Sequence, residues 1–166
     1  SCRPFDDPAP LVDAIARELE YGRVIGPPVS GDIPVIFTPK GVAGALLSPL
    51  MAGFNGKSIL QGSSPLVGKL GQQMLDPRIS IWDEPALAMV PGSRFCDDEG
   101  MPSRRLPLVD RGVISTFLYD LQTAGQAGAE STGNAHRGLA SLPGPGTSVT
   151  VLSQGDAGAD TWPTYQ

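Results

Sequence analysis

Ser93-Arg94-Phe95-Cys96-Asp97-Asp98-Glu99-Gly100 sets three consecutive carboxylates against a glycine, and the residues that follow it decide the fold. Arg104-Arg105 comes next, then two β-prone runs between Leu106 and Tyr119 around Asp110-Arg111-Gly112. A short connection with glycine where the backbone needs positive φ predicts an antiparallel hairpin. Its expected faces are Val113, Ser115, Phe117 and Tyr119 on one side and Ile114, Thr116 and Leu118 on the other. A short helix over 121–129 is expected next, and then a second distinctive run, Ser131-Thr132-Gly133-Asn134-Ala135-His136-Arg137.

Upstream, Asp7 is a candidate N-cap with Pro8 in the first helical position, and Leu11, Ile15 and Leu19 recur at helical spacing. Gly22 marks the stop, and residues 26–31, with Pro27 and Pro28, form a linker. Val35-Ile36-Phe37 reads as a short buried strand. Thr38 and Pro39 then open a second helix whose apolar face is Val42, Leu46, Leu47, Leu50, Met51 and Phe54, expected in the core. Residues 63–74, with Leu66, Val67 and Leu70, give a weaker helical pattern. Ile79 to Trp82 alternates as a strand, 85–92 is a loop, 139–147 is irregular, and Val149 to Leu152 is a last strand. The expected class is α+β, with early helices packed on a mostly antiparallel sheet. Residues 1–31 are helix plus linker, and 32–166 are the α+β body.

The order and spacing of these motifs, from about Val35 to Gly155, resemble the central part of the TldD/PmbA family. That family comprises cytoplasmic zinc-dependent peptidases built from a catalytic TldD subunit and a metal-free partner, TldE or PmbA. The resemblance marks Asp98, Glu99, Gly100, Thr132, Gly133 and Asn134 as family-motif residues. It also implies a longer protein, of which this chain, starting at Ser1 rather than methionine and ending at Gln166, is expected to be one segment within a larger domain.

Catalytic subunits of the family carry a His-Glu-x-x-x-His helix, two histidines on zinc and a glutamate for proton transfer. Leu46-Leu47-Ser48-Pro49-Leu50-Met51-Ala52-Gly53 falls where those subunits read Leu-Leu-His-Glu-x-x-x-His. Ser48 replaces the first ligand, Pro49 the base and Gly53 the second ligand. His136 is the single histidine of the chain, so two histidine ligands cannot come from it. Pro49 also removes a donor inside a predicted helix, which costs about 3 kcal/mol or forces a kink. The resemblance therefore implies a TldE-like, non-catalytic subunit with no metal of its own. The zinc is expected in a TldD-like catalytic partner, the substrate is expected to be peptide or unfolded protein, and this chain alone is expected to be inactive.

Composition bounds the alternatives. A net charge of -5, with Arg104-Arg105 the longest basic run, speaks against broad affinity for nucleic acid. No apolar run approaches the ~20 residues of a membrane span. A soluble, cytoplasmic protein is expected, with Cys2 and Cys96 as reduced thiols rather than a disulfide framework. The bland reading of Asp97, Asp98 and Glu99 is a solvated turn in which Asp98 or Glu99 bonds backbone. For His136 it is a surface or loop residue, and for Thr132-Gly133-Asn134 a turn that needs its glycine.

Two other classes of function stand beside the non-catalytic subunit. One is an independent hydrolase using Ser48, Ser63, Ser64 or Cys96 with His136, for which no Gly-x-Ser-x-Gly elbow exists. The other is a protein-binding adaptor, since family members carry the label of modulators of DNA gyrase. A truncated sheet and high apolar content also lead to an expectation of self-association in isolation, through a sheet edge or an apolar helix face.

Overall fold

The computed structural model describes residues 6–153; Cys2 lies outside them. Helix α1 (Ala9–Tyr21) starts where Asp7 Oδ1 accepts the Ala9 N–H at 2.9 Å. It buries none of its residues: Leu11, Ile15 and Leu19 are 49%, 46% and 68% exposed. Glu18 reaches Lys40 at 2.6 Å, an exposed ion pair worth little on its own.

Val35, Ile36 and Phe37 form no strand, contrary to the sequence reading, and are 63%, 45% and 41% exposed. Among the described residues no segment pairs with them, so β propensity has nothing to act through. Thr38 does cap the next helix, its hydroxyl accepting from the Gly41 N–H at 3.1 Å. Helix α2 (Pro39–Gly41) leads into a π-helical turn, Val42–Leu47, and then α3 (Ser48–Gly53). Pro49 explains the widened turn. It offers no N–H, and its ring collides with the carbonyl one turn back. A π turn lets the preceding carbonyls bond one residue further along. The face expected to be core is only partly so. Leu46 is 44% exposed, Leu47, Leu50 and Met51 are half-buried, and Phe54 alone is fully enclosed.

The short helix α4 (Gly56–Leu60) is capped by Asn55, whose Oδ1 accepts from Lys57 and Ser58. Residues 63–74 are turns rather than a helix, because Gly62, Gly68 and Gly71 take φ of 70°, 70° and 76° and Pro65 interrupts the run. Leu66 is buried there, while Val67 and Leu70 are exposed.

Strands β1 (Ile81–Asp83), β2 (Leu106–Asp110), β3 (Val113–Ile114) and β6 (Thr150–Leu152) make an antiparallel sheet in the order β3-β2-β1-β6. Between β3 and β6 lie α5 (Leu121–Ala127) and a two-stranded sheet of β4 (Ala135–His136) with β5 (Gly144–Pro145). Asp110 pairs with Val113, so the hairpin connection has two residues rather than three, Arg111 and Gly112, at φ 45° and 81°. The two-face pattern also ends early. Ser115 still donates to the Leu108 carbonyl, but Leu118 then donates to Phe54 and accepts from Gly56. The chain leaves β2 for the end of α3, and Ile114, Phe117 and Leu118 are all buried.

The core is Phe54, Leu66, Ile81, Leu106, Leu108, Val109, Ile114, Phe117 and Leu118, with Leu47, Leu50, Met51 and Ile59 packed against it. Phe54 and Phe117 meet tilted, with ring centroids 6.3 Å apart. The architecture is thus α+β, with helices α3 and α4 laid on an antiparallel sheet.

Candidate functional site

The two singled-out motifs meet. The peptide of Asp98 donates to the Ala135 carbonyl at 3.2 Å, and Asp98 Oδ2 accepts the Arg137 N–H at 2.8 Å. Asp97, expected in a solvated turn, is 5% exposed. Its Oδ1 accepts from Glu99 N (3.0 Å) and Met101 N (2.9 Å), and its Oδ2 accepts from Ala135 N at 3.0 Å. A carboxylate has no positive charge of its own to discharge against, and three backbone dipoles supply that role here. Asp98 and Glu99 do bond backbone as expected, Glu99 Oε2 accepting from Leu121 N at 2.8 Å. The run clamps distant segments through backbone N–H groups, with Asp97 buried, Glu99 half-buried and Asp98 exposed. Each of the three carboxylates accepts at least one backbone N–H.

Gly100 takes φ 80° and its N–H returns to the Asp97 carbonyl, closing the turn. Gly133, at φ 74°, sits so close to the chain that a Cβ would lie 2.4 Å from the Pro102 carbonyl oxygen. Thr132 Oγ1 accepts the Tyr119 N–H at 2.9 Å, tying its loop to the start of α5.

Asn134 is 1% exposed and donates to Asp83 Oδ2 at 2.6 Å. Asp83, fully buried at the end of β1, also accepts from Ser148 N (2.7 Å) and Val149 N (2.8 Å) through Oδ1. Sequence reasoning missed Asp83. A signal was present, because aspartate is disfavoured in an alternating strand unless something pairs with it.

His136, expected as a surface or loop residue, lies in a strand instead. It is half-buried in β4, and its Nδ1 stands 3.5 Å from Arg94 Nη1. Burial and the adjacent guanidinium hold its imidazole below the ordinary value. Cys96 is exposed and bridges Pro102 through its backbone. Among the described residues, no three His, Cys, Asp or Glu side chains stand together as metal ligands.

Ser48 and Pro49 are exposed at the start of α3, and Gly53 is buried at its end. The Gly53 carbonyl accepts from Ser64 Oγ at 2.6 Å. A Cβ on Gly53 would lie 3.4 Å from Leu66 Cδ1, so a larger side chain there meets Leu66. Neither proline nor glycine offers a ligand atom on its side chain, and these positions do not fit zinc.

Residues 30–162 match the family model described as the PmbA/TldA metallopeptidase C-terminal domain. The chain belongs to this family. It is 32% identical over 150 residues to the "Metalloprotease TldD homolog" of Haemophilus influenzae, covering 89% of this chain and 31% of that protein. The crystal structure of TldE from Thermococcus kodakarensis superposes with a TM-score of 0.62 at 29% identity, over 67% of this chain and 25% of that one. A Thermotoga maritima structure described as a candidate modulator of a DNA gyrase gives a TM-score of 0.59 at 34% identity, over 66% and 24%. The chain therefore spans about a third or less of the length of these relatives. Among the described residues, no helix is long and apolar enough to cross a membrane.

Proposed function

We propose that this chain belongs to a TldE-like, non-catalytic subunit that assembles with a TldD-like, zinc-bearing partner and helps hold unfolded peptides for cleavage. One observation carries this reading: the three positions of the family's catalytic helix are Ser48, Pro49 and Gly53 together. The geometry supports it. Pro49 goes with a π-helical turn that changes the spacing of the helix, and Gly53 packs against Leu66 and Ser64 with no ligand atom of its own. Asp97, the buried member of the acidic run, is engaged by three backbone N–H groups, in keeping with a structural role.

Elemental analysis of the dialysed chain is the test. Well under one zinc per chain is expected, and one tightly held zinc per chain would falsify the proposal. Peptide hydrolysis should likewise be absent with the purified chain and appear on adding a TldD-like subunit. Chelator-sensitive cleavage by the chain alone would favour the independent hydrolase instead.

A second reading, a protein-binding adaptor, draws on the structural likeness to the Thermotoga maritima protein described as a candidate gyrase modulator. Co-purification from cells separates the two: recovery with a TldD-like subunit supports the first, recovery without one the second. In either case the unburied apolar face of α1 and the outer edge of β6 are surfaces through which the isolated chain is expected to self-associate. Light scattering reads this directly.

A further inference from the structure

The loop after β1 closes on itself. Arg94 N donates to the Pro85 carbonyl at 2.9 Å, Ser93 N to Val90 at 3.2 Å, and the Ser93 hydroxyl to the Leu87 carbonyl. Gly92, at φ 91°, seats the loop against Ser148, whose carbonyl oxygen would stand 2.6 Å from a Cβ there. A cleft of about 190 Å³ opens beside this loop, its lining including Leu87, Met89, Arg94 and Phe95. Leu87, Met89 and Phe95 are 39%, 57% and 94% exposed, an apolar rim with no core to enter. Among the described residues lining the cleft, Arg94 alone is charged.

Arg94 is incompletely satisfied. Its Nη1 donates to the Ala135 carbonyl at 2.9 Å, while Nε and Nη2 are buried with no partner. These two nitrogens form the parallel edge of the guanidinium that matches a carboxylate with two hydrogen bonds. His136 adds a third orphan. With Nδ1 facing the Arg94 donor, the network assigns the ring proton to Nε2, which is also buried and unpartnered. The buried carboxylates of the same region cannot answer these donors without losing what they hold. Asp83 and Asp97 each accept from three N–H groups already.

We propose that this cleft receives the C-terminal residue of a peptide, with its apolar side chain against Leu87, Met89 and Phe95 and its free carboxylate on the Nε–Nη2 edge of Arg94. The volume suits one apolar side chain rather than a folded segment. Folding has already stripped water from that guanidinium edge, so only the incoming carboxylate has hydration left to lose, and two charge-assisted bonds offset that loss. The Nε–Nη2 edge is closed to solvent in the free chain, so part of the cleft lining shifts as the carboxylate enters. The inference rests on the reading of this chain as a subunit that handles peptides, and it names where one end of the peptide goes.

The test is fluorescence anisotropy on the intact chain, with an N-terminally labelled unstructured peptide ending in free leucine and the same peptide amidated. The free acid should bind about tenfold or more tightly than the amide, the scale of a lost charge-assisted contact. Arg94→Gln should erase that preference. Ala88→Trp, at an exposed lining position, should weaken both peptides by filling the cleft, and it keeps the test decisive where Arg94→Gln fails to fold. Equal binding of acid and amide by the unaltered chain overturns the proposal, as does full affinity in Ala88→Trp. N-acetyl-leucine competing as well as the peptide would overturn the peptide assignment in favour of a small carboxylic acid. Binding is read without turnover. A chain that holds the acid peptide yet supports no cleavage refutes only the subunit reading, and the reverse result refutes only this site.

Discussion

Replacing Asp97 by asparagine keeps its volume and removes one acceptor, and the structure dictates that no rotation can hide the loss. Both oxygens face backbone N–H groups: Glu99 and Met101 on one, Ala135 on the other. Either orientation of the amide points its NH2 at a backbone donor that cannot turn away. At least one charge-assisted bond, worth about 1.5–3 kcal/mol, is lost, and a buried N–H is left unpaired at about 1–3 kcal/mol. Asp97→Asn should therefore cost about 3 kcal/mol or more. Asp83→Asn is the internal control. Its Oδ1 can keep Ser148 and Val149, while the new NH2 faces Asn134, whose own Oδ1 is buried without a partner. A flip of the Asn134 amide restores the bond, so the expected loss is about 1 kcal/mol, the charge contribution alone. Urea unfolding followed by circular dichroism, with unchanged m-values, measures both. An Asp97→Asn cost under about 0.5 kcal/mol, the range of ordinary surface substitutions, would return the acidic run to a solvated turn. Equal costs for the two variants would refute the flip argument.

Gly112→Val should destabilise by more than the ~1–3 kcal/mol of a strained backbone, because a Cβ there would lie 2.2 Å from the Leu75 carbonyl oxygen; a thermal midpoint unchanged from the parent would contradict this. His136 has a folded-state value below its ordinary 6.5. The unfolded chain therefore takes up the proton first, and stability is full above about pH 6.5 and declines as the pH falls through it. Urea midpoints at about pH 7.5 and 5.5 should differ in that direction, and His136→Gln should shrink the difference.

What could be read from sequence was what neighbours encode. Thr38 before Pro39, and the glycine-ended turn Asp110-Arg111-Gly112, act within a few residues; the structure keeps the first and shortens the second to Arg111-Gly112. The β-prone Val35-Ile36-Phe37 went astray because a strand is a relation between two segments, and among the described residues none pairs with it. The departure of the hairpin after Ser115 was hidden for the same reason, since its new partner is Phe54 to Gly56. At the site, the motif residues were visible but their roles were not. Asp97 meets Ala135 across 38 residues and Asp83 meets Ser148 across 65, and no periodicity announces such bonds. Arg94 was in plain sight within the motif; only its two empty nitrogens single it out.

The strand order has a kinetic consequence. Central strand β1 borders β2 on one side and β6 on the other. The second of these pairings closes a loop far longer than the first: Asp83 meets Leu106 in one and Thr150 in the other. During synthesis from the N-terminus, the β2–β3 hairpin and its pairing with β1 can form early, whereas β1 keeps an open edge until β6 emerges. Non-local closure of this kind sets a slow last step. In that interval Asp83 lacks the N–H groups of Ser148 and Val149, and a charge at the end of an open strand disfavours edge-to-edge pairing with other chains. The same side chain later locks the sheet shut through Ser148 and Val149.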